Sequence, residues 1–189
     1  MKPIKDNYWI EVEKETEDTI NLNGVKMYRD TSYDPMKLAR QYGTVYKTPT
    51  IDTEEVDIRE GDKVWFHHFV ATEPNKVDYA DRENIYQATS RQVYLIKREG
   101  NYIPVGYWNF IEQEVLSSDV TTSGIIMSYK EEDNELHGFV SIPSAGLIED
   151  GVSVGDKVLF SENSEYDMNI DGKDLLRMRD FDILASYGQ

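Results

Sequence analysis

Cysteine is absent from this chain of 189 residues. Disulfides, thiol catalysis and Cys-ligated zinc are excluded together, and a cytoplasmic setting fits. Long apolar runs are missing as well. None approaches the roughly 18–20 residues that a spanning helix needs, and the opening Met1-Lys2-Pro3-Ile4-Lys5-Asp6 has no apolar core of a secretory signal. No membrane association is expected. Positive charge is in short supply: 20 basic against 36 acidic residues give a formal net charge of −16. Such a chain repels phosphate backbones, which argues against a nucleic-acid partner. The acidic residues are scattered, and 39% of the chain is hydrophobic and 12% aromatic. That balance describes a folded acidic surface rather than a disordered acidic tail.

Catalytic signatures are lacking too. The sequence has no G-x-S-x-G, no P-loop and no G-x-G-x-x-G, so neither an enzyme nor a bound cofactor is expected. His67-His68 is the one histidine pair. Neighbours on a strand face opposite sides, so the two are not expected to share a metal. Asp167-Met168-Asn169-Ile170-Asp171-Gly172 begins like a calcium loop, but Met178 stands where that loop requires glutamate. Asp171-Gly172 reads instead as a hairpin turn.

What the chain does contain is an internal repeat. Gly61-Asp62-Lys63-Val64-Trp65-Phe66 recurs as Gly155-Asp156-Lys157-Val158-Leu159-Phe160. Around this anchor, further pairs keep the same order: the stretch from Pro3 to Glu11 with that from Pro104 to Glu112, Gly24-Val25-Lys26-Met27 with Gly124-Ile125-Ile126-Met127, and Gly43-Thr44-Val45 with Gly138-Phe139-Val140. A fifth pairing sets Leu95-Ile96-Lys97 against Leu175-Leu176-Arg177. Short apolar runs rich in strand formers, with turn residues about every ten positions, predict small β-barrels or sandwiches. Only Pro35-Met36-Lys37-Leu38-Ala39-Arg40-Gln41 reads as a helical turn. In Tyr8-Trp9-Ile10-Glu11 the alternation changes phase, predicting a bulge or a change of face. The fold class is all-β: two tandem domains, 1–103 and 104–189, the first with an excursion at about 67–92.

The second half resembles the GroES (chaperonin-10) family, through Val152-Ser153-Val154-Gly155-Asp156-Lys157-Val158-Leu159-Phe160, the stretch from Asn169 to Met178, and the closing Asp182-Ile183-Leu184-Ala185. The first half resembles it more distantly, through Lys2-Pro3-Ile4-Lys5-Asp6-Asn7 and Gly61-Asp62-Lys63-Val64. The resemblance implies GroES-like irregular β-barrels, each with a flexible loop whose Gly-plus-apolar-tripeptide docks on a chaperonin (GroEL-like) ring, and subunits joined as a homo-oligomeric lid. It places that contact at Gly124, Ile125, Ile126 and Met127, and at Gly24, Val25 and Met27. Lys26 departs from the apolar pattern. Ile125-Ile126-Met127 on its own also fits a buried strand, and a structural or assembly protein of two small barrels is the alternative function. The zinc alcohol dehydrogenases share the barrel, but their zinc ligands and dinucleotide motif are missing here. In the family, the last strand of one subunit pairs with the first of its neighbour. The fusion is therefore expected to make one such contact covalent, leaving Met1 to Trp9 and Phe181 to Tyr187 as edges for further chains.

Overall fold

The computed structural model describes residues 2–13, 19–22, 25–28, 40–50, 56–79, 82–114, 136–164 and 166–187. The chain divides into two compact units, Met1–Val105 and Gly106–Gln189. Each is built on a six-stranded antiparallel sheet.

In the first unit the strands are β1 (Asn7–Glu11), β2 (Thr19–Leu22), β3 (Val25–Tyr28), β4 (Tyr42–Lys47), β5 (Lys63–Phe66), β6 (Ile85–Thr89), β7 (Val93–Arg98) and β8 (Asn101–Pro104). The sheet order is β6-β1-β4-β5-β7-β8, and β2 and β3 form a separate hairpin. The second unit holds β9 (Trp108–Gln113), β10 (His137–Ile142), a short helix α1 (Ala145–Glu149), β11 (Lys157–Phe160), β12 (Tyr166–Ile170), β13 (Lys173–Arg179) and β14 (Ile183–Ser186). Its order is β12-β13-β9-β10-β11-β14. Five strands share one connectivity: β6-β1-β4-β5-β7 matches β13-β9-β10-β11-β14.

The repeat extends to individual bonds. Gly61 and Gly155 both have φ of 92°, a left-handed conformation that glycine adopts without strain. Their amides donate to Val45 O and Val140 O, each at 2.8 Å. Asp62 Oδ2 accepts from Arg59 N, and Asp156 Oδ2 from Ser153 N, both at 2.8 Å. The turn thus folds back onto β4 or β10 and launches β5 or β11. At Gly43 a Cβ would stand 2.5 Å from Glu11 O, and at Gly138 it would stand 2.7 Å from Glu112 O. The strands cross so closely there that only glycine fits, which explains the Gly-Thr-Val and Gly-Phe-Val blocks.

The cores follow the same register. Ile10, Val45, Val64 and Phe66 of one cluster correspond to Ile111, Val140, Val158 and Phe160 of the other. On the strand beside β1, Tyr86 and Ala88 fill the places that Leu176 and Met178 fill beside β9. The volume is redistributed, and the core stays filled. The expected phase change in β1 is a register shift between Trp9 and Ile10 in its pairing with β4.

Several expectations shift. Strand order matches β7 with β14 and β6 with β13, so Leu95-Ile96-Lys97 does not correspond to Leu175-Leu176-Arg177. Residues 67–92 contain β6, with Ile85 and Tyr86 fully buried. Before that strand Val70 and Ala71 are buried as well, and Phe69, Glu73, Pro74 and Lys76 are exposed. β1 lies between β4 and β6, so only residues 2–6 of the expected Met1-to-Trp9 edge lie outside the sheet. Asp171 (φ 51°) and Gly172 (φ 90°) turn β12 into β13, with Ile170 opposite Lys173. His67 and His68 stack at 4.2 Å between ring centroids, because residues 67–70 form a turn in which strand alternation does not apply. Residues 35–39 of the expected helical turn lie outside the described residues.

Candidate functional site

Two features outside the cores bear on function: the β2–β3 hairpin and the last strand of each unit. The hairpin lies between β1 and β4 in the chain. Its register pairs Thr19 with Tyr28, Ile20 with Met27, Asn21 with Lys26 and Leu22 with Val25. Successive strand positions alternate sides. Positions 25 and 27, both apolar, therefore fall on one side of the ladder. Val25 is 62% and Met27 47% exposed. Lys26, which departs from the apolar tripeptide, pairs with Asn21 in the ladder. Gly24 and the whole of Gly124, Ile125, Ile126 and Met127 lie outside the described residues. The latter four occupy, in chain order, the interval between β9 and β10 that corresponds to the hairpin's interval.

The closing strands differ between units. β7 is covered by β8, with Leu95 opposite Pro104 and Ile96 opposite Ile103. Val105 follows, its amide donating to Tyr94 O at 2.9 Å and its side chain in the first core at 6% exposure. Tyr94 is 3% exposed. β14 ends its sheet. Leu184, which stands in β14 where Tyr94 stands in β7, is 61% exposed. The chain carries a second segment of the β8 type before β1. Lys5 (φ 55°) there corresponds to Gly106 (φ 62°), and Ile4, the counterpart of Val105, is 67% exposed. Pro3 beside it is buried, and its carbonyl accepts from Thr50 N at 3.3 Å.

Charges fix the first Gly-Asp turn. Arg98, at the end of β7, donates from Nε to Asp62 Oδ1 (2.8 Å), from one terminal nitrogen to Asp62 Oδ2 (2.7 Å) and from the other to Asp57 Oδ2 (2.8 Å). Arg59 adds two bonds of 2.7 Å to Asp57. Hydrogen bonds first from Arg59 and then from Arg98 hold the Asp57 carboxyl below its ordinary value of 3.8, and those from Asp62 and Asp57 push the Arg98 guanidinium upward. In the second unit the root of the interval between β9 and β10 is tied instead by Lys157 to Glu114 (2.7 Å) and by His137 Nε2 to the Tyr187 hydroxyl (2.8 Å). The ties of Arg98, Lys157 and His137 were not legible in the sequence, because each joins residues far apart in the chain whose approach depends on register. Among the described residues no group of three or more metal-ligating side chains gathers, and no helix is long and apolar enough to cross a membrane.

Comparison with known proteins agrees with this geometry. The family model described as the chaperonin 10 kDa subunit matches residues 102–187, from within β8 to just past β14. Co-chaperonin GroES of Campylobacter concisus is 32% identical over 85 residues, covering 45% of this chain and 95% of the relative. Co-chaperonin GroES of Anoxybacillus flavithermus is 31% identical, covering 39% of this chain and 86% of the relative. That of Pelagibacter ubique is 36% identical, covering 40% and 88%. With 86–95% of the length of such relatives covered at 31–36% identity, the chain belongs to the chaperonin 10 family.

Proposed function

We propose that this chain is a tandem co-chaperonin: both units are GroES-like, and together they cap a GroEL-type chaperonin ring through short apolar segments. The observation that carries the reading is the exposed Val25 and Met27 pair on one side of the β2–β3 hairpin, in the interval where the second unit has Gly124-Ile125-Ile126-Met127. The family relatives, named co-chaperonins, support it for the second unit. The shared strand order and the matching Gly-Asp turns support extending it to the first.

The energetics suit a releasable lid. Burying each apolar side chain in a groove gains about 1.5–3 kcal/mol. Ordering the backbone costs about 1–2 kcal/mol per residue fixed. Each contact is weak, and several held on one assembly reinforce each other by effective concentration. The partner chaperonin supplies nucleotide hydrolysis, and the folding assistance is ATP-dependent through that partner.

Assembly follows from the edges. β14 takes residues 2–5 of a second chain as β7 takes β8, and Ile4 seats where Val105 sits in the first unit. Such head-to-tail contacts close into rings, and each chain supplies two positions, so a closed lid has an even number.

The test is native mass measurement with a GroEL-type chaperonin, with and without adenine nucleotide. A nucleotide-dependent complex is expected, and Ile126→Asp should abolish it while leaving the unfolding curve unchanged. Normal capping by that variant would remove Ile126 from the contact. Absence of any complex with the wild-type protein would favour a structural protein of two small barrels.

A further inference from the structure

One face of β13 and β9, opposite to that of Leu176 and Met178, carries a row of alternating rings and guanidinium groups. Tyr166, Arg177, Trp108, Arg179 and Phe181 alternate ring and guanidinium. The successive separations are 5.0 Å (Arg177 over Tyr166), 4.6 Å (Arg177 over Trp108), 4.9 Å (Arg179 over Trp108) and 5.5 Å (Arg179 over Phe181). Tyr166 and Phe181 at the two ends are exposed, as is Arg179.

The first unit serves as the control. The pair Trp108–Arg179 occupies the register of Asn7–Thr89, and Phe110–Arg177 that of Trp9–Gln87. Phe181 stands where Arg91 stands. The same strand pairing therefore closes without either arginine, and the row belongs to the second unit alone.

Arg179 also differs from other cations of this acidic chain. Arg98, Arg82, Lys157 and Lys173 each contact a carboxylate. Among the described residues none forms an ion pair with the Arg179 guanidinium. The acidic groups nearest in sequence are engaged: Asp182 accepts from the Arg179 backbone amide, and Asp180 from Asn109 and Ser144. Stacking occupies the flat faces of a guanidinium and leaves its in-plane N–H donors, arranged as a fork that fits a carboxylate.

We propose that this row is a docking strip for a short acidic peptide segment of another protein, with its carboxylates taken by Arg179 and its backbone lying across Trp108 and Phe181. The fork of Arg179, without an ion pair among the described residues, selects this occupant. A net charge of −16 opposes a long polyanion such as nucleic acid, whereas a few carboxylates at a local positive strip meet far less repulsion. This inference does not rest on the lid reading, and its test requires no chaperonin.

Intrinsic fluorescence reports on the strip, because the other two tryptophans, Trp9 and Trp65, are buried in the first unit. Hexaglutamate titrated into the full-length protein at low ionic strength should give a saturable change that weakens with salt. Hexaserine should give none. Arg179→Thr, which installs the residue used at the matching register of the first unit, should weaken hexaglutamate binding about tenfold or more, with its circular dichroism unchanged. No saturable change in the wild-type protein overturns the proposal, as does equal binding by Arg179→Thr. A single-stranded oligonucleotide binding more tightly than hexaglutamate overturns the choice of occupant. The wild-type comparison of hexaglutamate with hexaserine stands even if a variant fails to fold.

Discussion

The last strands of the two units are built in the same register and finish differently. β7 lies beneath β8 and Val105, and its first four residues, Val93, Tyr94, Leu95 and Ile96, are apolar and buried. Among the described residues β14 has no strand on its outer side, and its sequence, Ile183-Leu184-Ala185-Ser186, ends in small and polar residues. An edge that is covered within the chain can afford continuous hydrophobicity. An edge left open must stay soluble until it is paired. The first unit covers its β7 edge with its own residues 101–105, whereas among the described residues no strand covers β14.

The largest expected effect comes from exchanging the fates of two matched residues. Ile4→Asp should leave thermal unfolding unchanged and reduce any head-to-tail assembly to single chains, measured by sedimentation or native mass. Val105→Asp, at the corresponding position, should instead unfold the first unit, because it places a carboxylate in an apolar core. If Ile4→Asp assembled like the wild type, the correspondence between the two lead-in segments would carry no intermolecular meaning.

A smaller effect tests the other contrast, the Gly-Asp turn. In the first unit Asp62, 4% exposed by side chain, is gripped by Arg98. Continuing the match of β7 to β14, the place of Arg98 falls in the sequence at Gly188. Arg98→Met should therefore destabilise the first unit by about 3 kcal/mol, since it strands a buried carboxylate. Urea unfolding followed by hydrogen exchange should find protection lost in β5 and β7 and kept in β11 and β13. Equal loss in both units would mean that they unfold as one.

The smallest effect is one of acid. Asp57 has its folded value held below 3.8 by Arg59 and Arg98. The stabilisation it provides is complete above the ordinary carboxylate range and is lost as pH falls through the lowered folded value. Asp57 is exposed, so solvent screens much of the effect. The gap in urea midpoint between the wild type and Asp57→Asn should be small at pH 7 and close by pH 2. A gap that widens in acid would contradict the sign.

Much of this fold was legible in the residues that backbone geometry constrains. Gly61-Asp62 and Gly155-Asp156 announced the turn because a left-handed φ and a carboxylate cap leave few alternatives, and Gly43 and Gly138 marked a crossing that excludes any Cβ. The match of β6 to β13 was hidden. Tyr86 with Ala88 fills the same space as Leu176 with Met178, and packing constrains their sum rather than their identities. The match of β7 to β14 was hidden for another reason, since one is covered and the other is not. At the candidate site, Val25 and Met27 were named from the sequence, and the register that pairs them with Leu22 and Ile20 emerged only with the hairpin. The arginine and aromatic row was invisible because its members come from three strands and a turn.

The turn joining β7 to β8 is only Glu99-Gly100, with φ of 51° and 85°. Two residues thus tether what, between separate subunits, would be a bimolecular contact. On the lid reading, dilution cannot dissolve that junction, and a closed assembly forms from half as many encounters as one made from single-unit chains. Its formation should follow a correspondingly lower kinetic order in protein concentration, so a lid of this kind would persist at dilutions where single-unit lids fall apart.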